Sequence, residues 1–291
     1  MKIGWIGTGL MGASMAGHLQ AAGHEIRVFN RTREKAEGLL KGGASWCDTP
    51  AEVAAGCGVV FTIVGNPGDV EEVYLAEKGV LSASGSCRIV VDMTSSRPSL
   101  AVAIAKRAAQ RGMQSLDAPV SGGVLGARDA TLAIMVGGRR ETFEEVLPLF
   151  EQMGKAIAYM GGPGAGQHTK IANQILVAGT IIGVCESLLY AVKQGLDQQA
   201  VIDVVGKGFA SSALFNILGP KIAQGDFAPG FFVEHFIKDM GIALAEAECA
   251  GLTLPGLALV HQLYVAVKAQ GHGRSGHQAL YLALKAMSHM Q

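Results

Sequence analysis

The chain has 291 residues, 49% of them hydrophobic and 16% charged, and its formal net charge is zero. This length is sufficient for two domains with sizeable apolar cores. The balanced charge and the lack of a basic run argue against a protein that holds nucleic acid through bulk positive charge. The five cysteines are far apart and form no C-x-x-C pair, so we expect free thiols and no metal site.

The first half of the chain alternates short apolar runs with helical patterns. This alternation is typical of a mostly parallel sheet that is covered by helices on both faces. An apolar strand lies where a secretory signal would need a longer apolar segment, so we expect a cytoplasmic protein. The predicted strands are 3–6, 26–29, 59–64, 89–91, 115–120, 131–136 and 156–160. The predicted helices are 11–22, 33–41, 50–55, 70–74, 98–111 and 141–153.

The second half is helical throughout. Strand signals stop at Gly161-Gly162-Pro163-Gly164, which places a domain boundary near residue 163 and an all-α domain over 164–291. We expect a long helix to join the two domains. The predicted helices are 167–194, 197–206, 212–223, 232–250, 255–270 and 276–288.

One apolar stretch, 175–192, contains Gly179-x-x-x-Gly183, a spacing that also occurs in membrane helix dimers. Thr180 and Glu186 lie within the stretch, and these polar residues favour the buried helix of a soluble protein.

Three glycines follow the first strand at the spacing G-x-G-x-x-G. Gly7 permits the tight turn from strand to helix, Gly9 lets backbone N–H groups approach a pyrophosphate, and Gly12 lets the helix pack closely on the strand. Leu10 and Met11 complete the turn. A pyrophosphate is favoured at this helix N-terminus. The motif therefore predicts a Rossmann-type dinucleotide-binding domain in the first half of the chain.

The second strand ends in Asn30-Arg31-Thr32. An acidic residue at this point binds the ribose 2′-hydroxyl and repels a 2′-phosphate. Asn30 is neutral, and Arg31 is suited to stack on adenine and pair with a 2′-phosphate, with help from Thr32. The alternative is a solvated basic start of the next helix. We predict NADP(H) in preference to NAD(H).

Two polar loops follow later strands. The hydroxyls of Thr94 and Ser95 are placed to reach a nicotinamide or a substrate, or else to cap the next helix. Ser121, Gly122 and Gly123 offer a hydroxyl and exposed backbone N–H groups that suit a substrate carboxylate. By itself this second loop is equally compatible with an ordinary Gly-rich turn.

The long helix begins with Gly164-Ala165-Gly166 and carries Lys170, Asn173 and Gln174 on one face, since they lie at i, i+3 and i+4. An interior lysine beside two amides is suited to general acid–base chemistry, the alternative being a structural ion pair. At the start of a later helix, Phe231 is a candidate pocket wall or a core residue, and within the helix Lys238 is a candidate anion ligand.

These segments, in this order, resemble the β-hydroxyacid dehydrogenase family, which includes 3-hydroxyisobutyrate dehydrogenase, tartronate semialdehyde reductase and the glyoxylate/succinic semialdehyde reductases. The resemblance covers essentially the whole chain. It depends on the joint occurrence of the N-terminal Gly-rich turn, the loop Asp92–Ser96, the loop Asp117–Gly123, the turn that leads to Lys170, and the pair Lys238-Asp239.

The resemblance implies that Lys170 is the general acid in reduction and the general base in oxidation. Ser121, Gly122 and Gly123 would bind the substrate carboxylate. Members commonly carry two adjacent Asn after the Lys, and here the pair is Asn173-Gln174, so the choice of amide stays open. The resemblance also implies cofactor contacts from the loop that contains Val64, Asn66 and Pro67, and from Lys238.

We therefore expect an NADPH-dependent reductase of short aldehyde acids that also works in reverse as a dehydrogenase. A 3-hydroxyisobutyrate or tartronate semialdehyde-type dehydrogenase is the alternative. Lys170 argues against an imine reductase, and a non-catalytic NADP-binding module would need neither Lys170 nor the Ser121 loop. We expect a homodimer or homotetramer, and no nucleic acid or membrane as partner.

Overall fold

The computed structural model describes residues 1–290. Two compact units are present, Met1–Lys170 and Ile171–Gln291. The division falls within a long helix, whereas the sequence places the boundary at the Gly-rich turn that precedes this helix.

The strands of the first unit form one sheet in the order β3-β2-β1-β4-β5-β6-β8-β7, with β9 paired to β8. The six strands from β3 to β6 are parallel, whereas β8 runs antiparallel to β6 and β7. The strands are β1 (Lys2–Ile6), β2 (Glu25–Phe29), β3 (Ser45–Trp46), β4 (Val59–Thr62), β5 (Ile89–Asp92), β6 (Gln114–Asp117), β7 (Val120–Ser121), β8 (Leu132–Gly138) and β9 (Gly154–Gly161).

Helices cover both faces of this sheet. Successive residues of a strand point to opposite faces, so Val59 and Phe61 belong to one apolar core and Val60 to the other. The helices are α1 (Gly12–Ala21), α2 (Glu37–Lys41), α3 (Pro50–Ala55), α4 (Pro67–Leu75), α5 (Pro98–Gln110), α6 (Gly123–Arg128) and α7 (Arg140–Phe150).

The chain reverses direction across the sheet between β1 and β4, which are neighbours. From β1 it proceeds outward through β2 to β3, and from β4 it proceeds the other way through β5 to β6. In open α/β sheets, ligands bind outside the carboxyl ends of the strands at such a reversal. The Rossmann-type fold predicted from the sequence is confirmed.

The second unit is helical and has its own apolar core, which includes Phe236, Tyr264 and Leu280. Its helices follow the long α8 (Ala165–Lys193), which begins in the first unit. They are α9 (Gln198–Val205), α10 (Ala213–Ala223), α11 (Val233–Cys249), α12 (Pro255–Val267) and α13 (Leu280–Met287).

Helix α8 is long and apolar enough, by length and composition alone, to cross a membrane; 39% of its most apolar 18-residue window is buried. Ala178, Ile181 and Leu188 lie in the helical core. Leu176 is 72% and Tyr190 67% exposed. One face of the helix is therefore packed, and another is open in the single chain.

Several predicted elements differ from the structure. The predicted strand 115–120 is two strands, β6 and β7, because Pro119 has no N–H for a sheet ladder. The predicted helix 33–41 starts with a 3₁₀ turn, Arg33–Ala36. Helix α6 was missed because its glycines have low helix propensity.

Candidate active site

The Gly-rich turn links β1 to α1. Gly7 has a φ of +100°, and a Cβ there would collide with the carbonyl oxygen of Ile63. A Cβ on Gly12 would collide with the carbonyl oxygen of Gly7. By contrast, a Cβ on Gly9 would meet nothing within 4 Å. Space is therefore open beside the Gly9 backbone, as a pyrophosphate requires, and the turn fits a dinucleotide. Leu10 is exposed and Met11 half-buried.

The residues after β2 are tied to this turn. Oδ1 of Asn30 accepts the N–H of Thr8 at 3.0 Å, and its Nδ2 donates to the carbonyl of Thr32 at 2.7 Å. Asn30 therefore holds the Gly-rich turn against the end of β2. The side chain of Arg31 is 82% exposed, and its Nη1 pairs with Oδ1 of Asp69 at 3.1 Å. Contact of these residues with a ribose or a 2′-phosphate stays a prediction.

The loop after β4 leads into α4. The N–H of Val64 donates to Oγ1 of Thr94 at 2.9 Å, which joins the loops after β4 and β5. Asn66 caps α4, since its Oδ1 accepts the N–H of Asp69 at 3.1 Å, and Pro67 is the first residue of the helix. Asn66 and Pro67 thus define the start of α4. Their contact with a cofactor stays a prediction.

Asp92, the last residue of β5, is buried. Its Oδ1 accepts the N–H of Thr94 at 3.0 Å and the hydroxyl of Thr62 at 3.1 Å, and Thr62 lies 2.9 Å from the hydroxyl of Tyr74. Burial raises the pKa of Asp92 to about 6, although the bonds from Thr94 and Thr62 lower it. The hydrogen bond to Asp92 holds the backbone of Thr94 in place. Ser95, the next residue, is half-buried.

Asp117 and Gln167 are two further polar residues that sequence reasoning missed as site residues. Asp117 ends β6, and its carboxylate accepts N–H bonds from Gly164 at 2.8 Å and Gln167 at 2.9 Å. The amide of Gln167 bonds with the backbone of Thr94 and Ser96. Burial raises the pKa of Asp117, whereas these N–H bonds lower it. Two features of the sequence could have indicated these residues: Asp117 ends a strand, and Gln167 precedes Lys170 by one helical turn.

The predicted carboxylate-binding residues form a sharp bend. Ser121 ends β7 and is half-buried; Gly122, with a φ of +132°, and Gly123, with a φ of +60°, lead into α6. Both φ values lie in the left-handed region, which favours glycine. The start of α6 has no side-chain cap. The binding of a carboxylate here stays a prediction.

Lys170 lies in the second turn of α8 and is 8% exposed. Lysine is almost never buried to this degree unless its ammonium has partners. The position agrees with the interior lysine expected from the sequence and places it one helical turn after Gln167.

In the second unit, Asn173, Gln174, Asp239 and Lys238 form one chain of polar contacts. Nδ2 of Asn173 donates to Oε1 of Gln174 at 2.7 Å, and Nε2 of Gln174 donates to Oδ2 of Asp239 at 2.7 Å. Nζ of Lys238 lies 3.0 Å from Oδ1 of Asp239. The two candidate amides are therefore coupled to each other, and Asp239 is a member that sequence reasoning did not assign.

Phe231 is half-buried in an aromatic cluster of the second unit. Its ring centroid lies 5.7 Å from that of Phe236 and 5.8 Å from that of His277. Burial lowers the pKa of His277 to about 4. Burial, followed by the charge of Lys238, lowers the pKa of His235, which adjoins Phe231. These contacts give Phe231 a packing role, and a role as a pocket wall stays a prediction.

Within residues 1–290, no group of three or more His, Cys, Asp or Glu side chains is arranged to hold a metal ion.

Comparison with known proteins identifies the family. Residues 2–161 match the NAD binding domain of 6-phosphogluconate dehydrogenase, and residues 164–284 match the NAD-binding domain of NADP-dependent 3-hydroxyisobutyrate dehydrogenase. The 2-hydroxy-3-oxopropionate reductase of Escherichia coli (strain K12) is 41% identical over 99% of this chain and 98% of its own. The chain belongs to the β-hydroxyacid dehydrogenase family.

Two further proteins are similar to this chain. An uncharacterized oxidoreductase of Bacillus subtilis (strain 168) is 49% identical over 96% of this chain and 97% of its own. The structure of Mycobacterium tuberculosis 3-hydroxyisobutyrate dehydrogenase with L-serine superposes with a TM-score of 0.86, at 31% identity over 98% of this chain and 99% of that one. The protein is thus an NAD(P)-dependent oxidoreductase that acts on CH–OH groups, as predicted.

Proposed function

We propose that this β-hydroxyacid dehydrogenase reduces short aldehyde acids, such as semialdehydes and glyoxylate, to hydroxy acids with NADPH, and catalyses the reverse oxidation. The buried Lys170 carries the proposal. It lies one turn after a residue that is hydrogen-bonded to the Thr94–Ser96 loop, at the carboxyl edge of the parallel strands. Open α/β sheets bind their ligands at this edge.

Each site residue has a separate role in the proposed reaction. NADPH, when bound, supplies a hydride to the aldehyde carbon. The ammonium of Lys170 donates a proton to the aldehyde oxygen as its negative charge develops, and takes a proton back in the oxidation. Ser121 and the backbone N–H groups of Gly122 and Gly123 hold the substrate carboxylate. An amide from Asn173 or Gln174 orients the substrate.

A preference for NADP(H) is supported by the end of β2. No carboxylate occupies position 30, where it would repel a 2′-phosphate, and Arg31 supplies a guanidinium. The second half of the chain also resembles the corresponding part of an NADP-dependent 3-hydroxyisobutyrate dehydrogenase.

The test is NADPH oxidation by the full chain with a panel of glyoxylate, succinic semialdehyde, tartronate semialdehyde and methylmalonate semialdehyde. Lys170→Ala should lower turnover by about 10²- to 10⁴-fold, while the Kd for NADPH measured by calorimetry changes little. Lys193→Ala, at the exposed far end of α8, is the matched control and should keep full activity. Near-normal turnover of Lys170→Ala would refute the role of Lys170.

An enzyme that turns over none of these substrates, but binds NADPH, would instead be the non-catalytic module. Reduction of cyclic imines in preference to every aldehyde acid would favour an imine reductase.

We also propose a cytoplasmic homo-oligomer without a nucleic acid or membrane partner. The exposed Leu176 and Tyr190 on α8 support contact with a second copy, because large apolar side chains are enriched at such interfaces. Light scattering on the purified protein tests whether the chain forms a homo-oligomer. A monomer at micromolar concentration would contradict it.

A further inference from the structure

The side chain of Gln167 is 1% exposed, and both ends of its amide bond to the same loop. Oε1 accepts the N–H of Ser96 at 2.9 Å, and Nε2 donates to the carbonyl of Thr94 at 2.7 Å. This contact needs an acceptor and a donor side by side, which an amide supplies and a carboxylate or an apolar side chain does not.

The backbone of Gln167 is tied to a different element. Its N–H donates to Oδ2 of Asp117 at 2.9 Å, and the N–H of Gly164 donates to Oδ1 at 2.8 Å. The start of an α-helix leaves N–H groups without intrahelical partners, and a carboxylate there is favourable. Gly166 allows this approach, since a Cβ at that position would lie 2.9 Å from Oδ2 of Asp117 and collide with backbone oxygens. The first turn of α8 is therefore held against β6.

The loop that Gln167 holds is itself connected across the sheet. Oγ1 of Thr94 accepts the N–H of Val64 after β4, and Asp92 accepts the N–H of Thr94. Gln167 therefore joins the first turn of α8 to the loops after two adjacent strands. These loops lie at the edge where the fold binds its ligands.

Lys170 lies three residues after Gln167, about 4.5 Å further along the helix axis. Residues at i and i+3 share a helix face, and both of these residues are buried. The helical backbone between them transmits the placement of one to the other.

We propose that Gln167 is a positioning residue for Lys170. Its amide fixes the first turn of α8 against the Thr94–Ser96 loop, and this sets the place from which Lys170 delivers its proton. The inference rests on the proposed function, since it assigns to Lys170 the role of general acid.

The test uses Gln167→Met, which keeps the length of the side chain and removes both hydrogen bonds. We expect kcat per folded molecule to fall about 10- to 100-fold, because a general acid displaced by a fraction of an ångström transfers its proton less efficiently. The primary isotope effect on kcat, with NADPH deuterated at the transferred position, should rise as chemistry becomes rate-limiting. The Kd for NADPH should change much less than kcat, because Thr94 keeps its bonds to Val64 and Asp92.

Gln199→Met is the matched control. Gln199 also lies in the first turn of a helix, α9, but it is exposed and bonds only with Asp203 and Asp197 among the contacts described. This variant should keep the wild-type kcat and isotope effect.

Amide hydrogen exchange gives a readout that does not depend on turnover. In Gln167→Met, exchange should accelerate at residues 168–171 and in the loop 94–97, with no change in α9. Unchanged exchange in both segments would overturn the inference even if no substrate were found.

A merely structural role predicts a different pattern. The melting temperature would fall, but the folded molecules would keep the kcat and isotope effect of the wild type, and this result would also overturn the inference. Failure of the proposed function is distinguishable, since the wild type itself would then reduce none of the aldehyde acids.

Discussion

Arg31 and Asp69 lie on opposite sides of β1, and their side chains form an ion pair with 3.1 Å between Nη1 and Oδ1. Arg31 follows β2 and Asp69 lies in the first turn of α4 after β4, and both strands pair directly with β1. The pair therefore spans the end of the strand that leads into the Gly-rich turn. Asp69 also accepts a bond from Nδ2 of Asn66 at 2.8 Å, so the carboxylate is held in place.

The pair predicts how cofactor preference responds to mutation. Arg31→Ala should raise the Kd for NADPH by about tenfold and leave the Kd for NADH nearly unchanged. A tenfold change in Kd is the effect expected from the loss of one charge-assisted hydrogen bond at an exposed site. Asp69→Asn should have the opposite and smaller effect on NADPH, because it removes a carboxylate that competes for Arg31. Calorimetric titration with both cofactors measures this. Equal losses for NADPH and NADH in Arg31→Ala would contradict a contact with the 2′-phosphate.

Alanine substitutions at two glycines of the turn, Gly12 and Gly9, are predicted to have different effects. Gly12→Ala should destabilise the protein by about 3 kcal/mol or more, because the added methyl collides with the backbone of Gly7. Gly9→Ala should fold with near wild-type stability, since its methyl enters open space, yet bind NADPH weakly. Thermal unfolding without ligand and calorimetry with NADPH separate the two effects. Normal NADPH affinity of Gly9→Ala would show that the pyrophosphate does not approach this backbone.

The parts of the fold that were predictable from sequence depend on local patterns. The G-x-G-x-x-G spacing, the alternation of strands and helices, and the Lys170 turn are each contained in a short segment. The family follows from their joint order. Helix α6 and the break at Pro119 were missed because glycine and proline override the hydrophobic pattern there.

The polar network of the candidate site was not predictable in the same way. Gln167 and Thr94 are 73 residues apart, Gln167 and Asp117 are 50 apart, and Gln174 and Asp239 are 65 apart. A single sequence shows that such residues are polar, but their pairing depends on strand order and helix placement. Asn30 is a further example of a pairing that the sequence does not reveal, because its amide oxygen accepts the N–H of Thr8, which lies 22 residues away.

The buried Asp92 predicts a pH dependence of stability. Its pKa is about 6 in the folded protein, above about 3.9 in an unfolded chain, so the folded state binds the additional proton between these values. The stability from this proton is present below about pH 4 and lost as the pH rises through about 6, by at most about 3 kcal/mol.

Asp92→Asn keeps an Oδ1 acceptor for Thr62 and Thr94 but does not titrate. Its unfolding free energy relative to the wild type should therefore increase as the pH rises from about 4 to about 7. Urea unfolding of both proteins across this range measures the difference. A difference that does not vary with pH would exclude a buried titration of Asp92.

His277 predicts the opposite dependence in the second unit. It is 7% exposed, and burial lowers its pKa to about 4, although a hydrogen bond with the backbone of Phe231 works in the other direction. An unfolded histidine titrates near 6.5, so the unfolded state binds the additional proton between about pH 4 and 6.5. The stability from the neutral ring is present above about pH 6.5 and lost as the pH falls through about 4, by about 3 kcal/mol.

His277→Leu places a similar volume among the rings of Phe231 and Phe236 and removes the titration. Hydrogen exchange of α12 and α13, measured at about pH 7 and about pH 5, should show less acid destabilisation in the variant than in the wild type. Strands β1 and β4 of the first unit are the internal control, and their exchange should respond to pH in the same way in both proteins. The same acid response of α12 and α13 in both proteins would assign it to other groups.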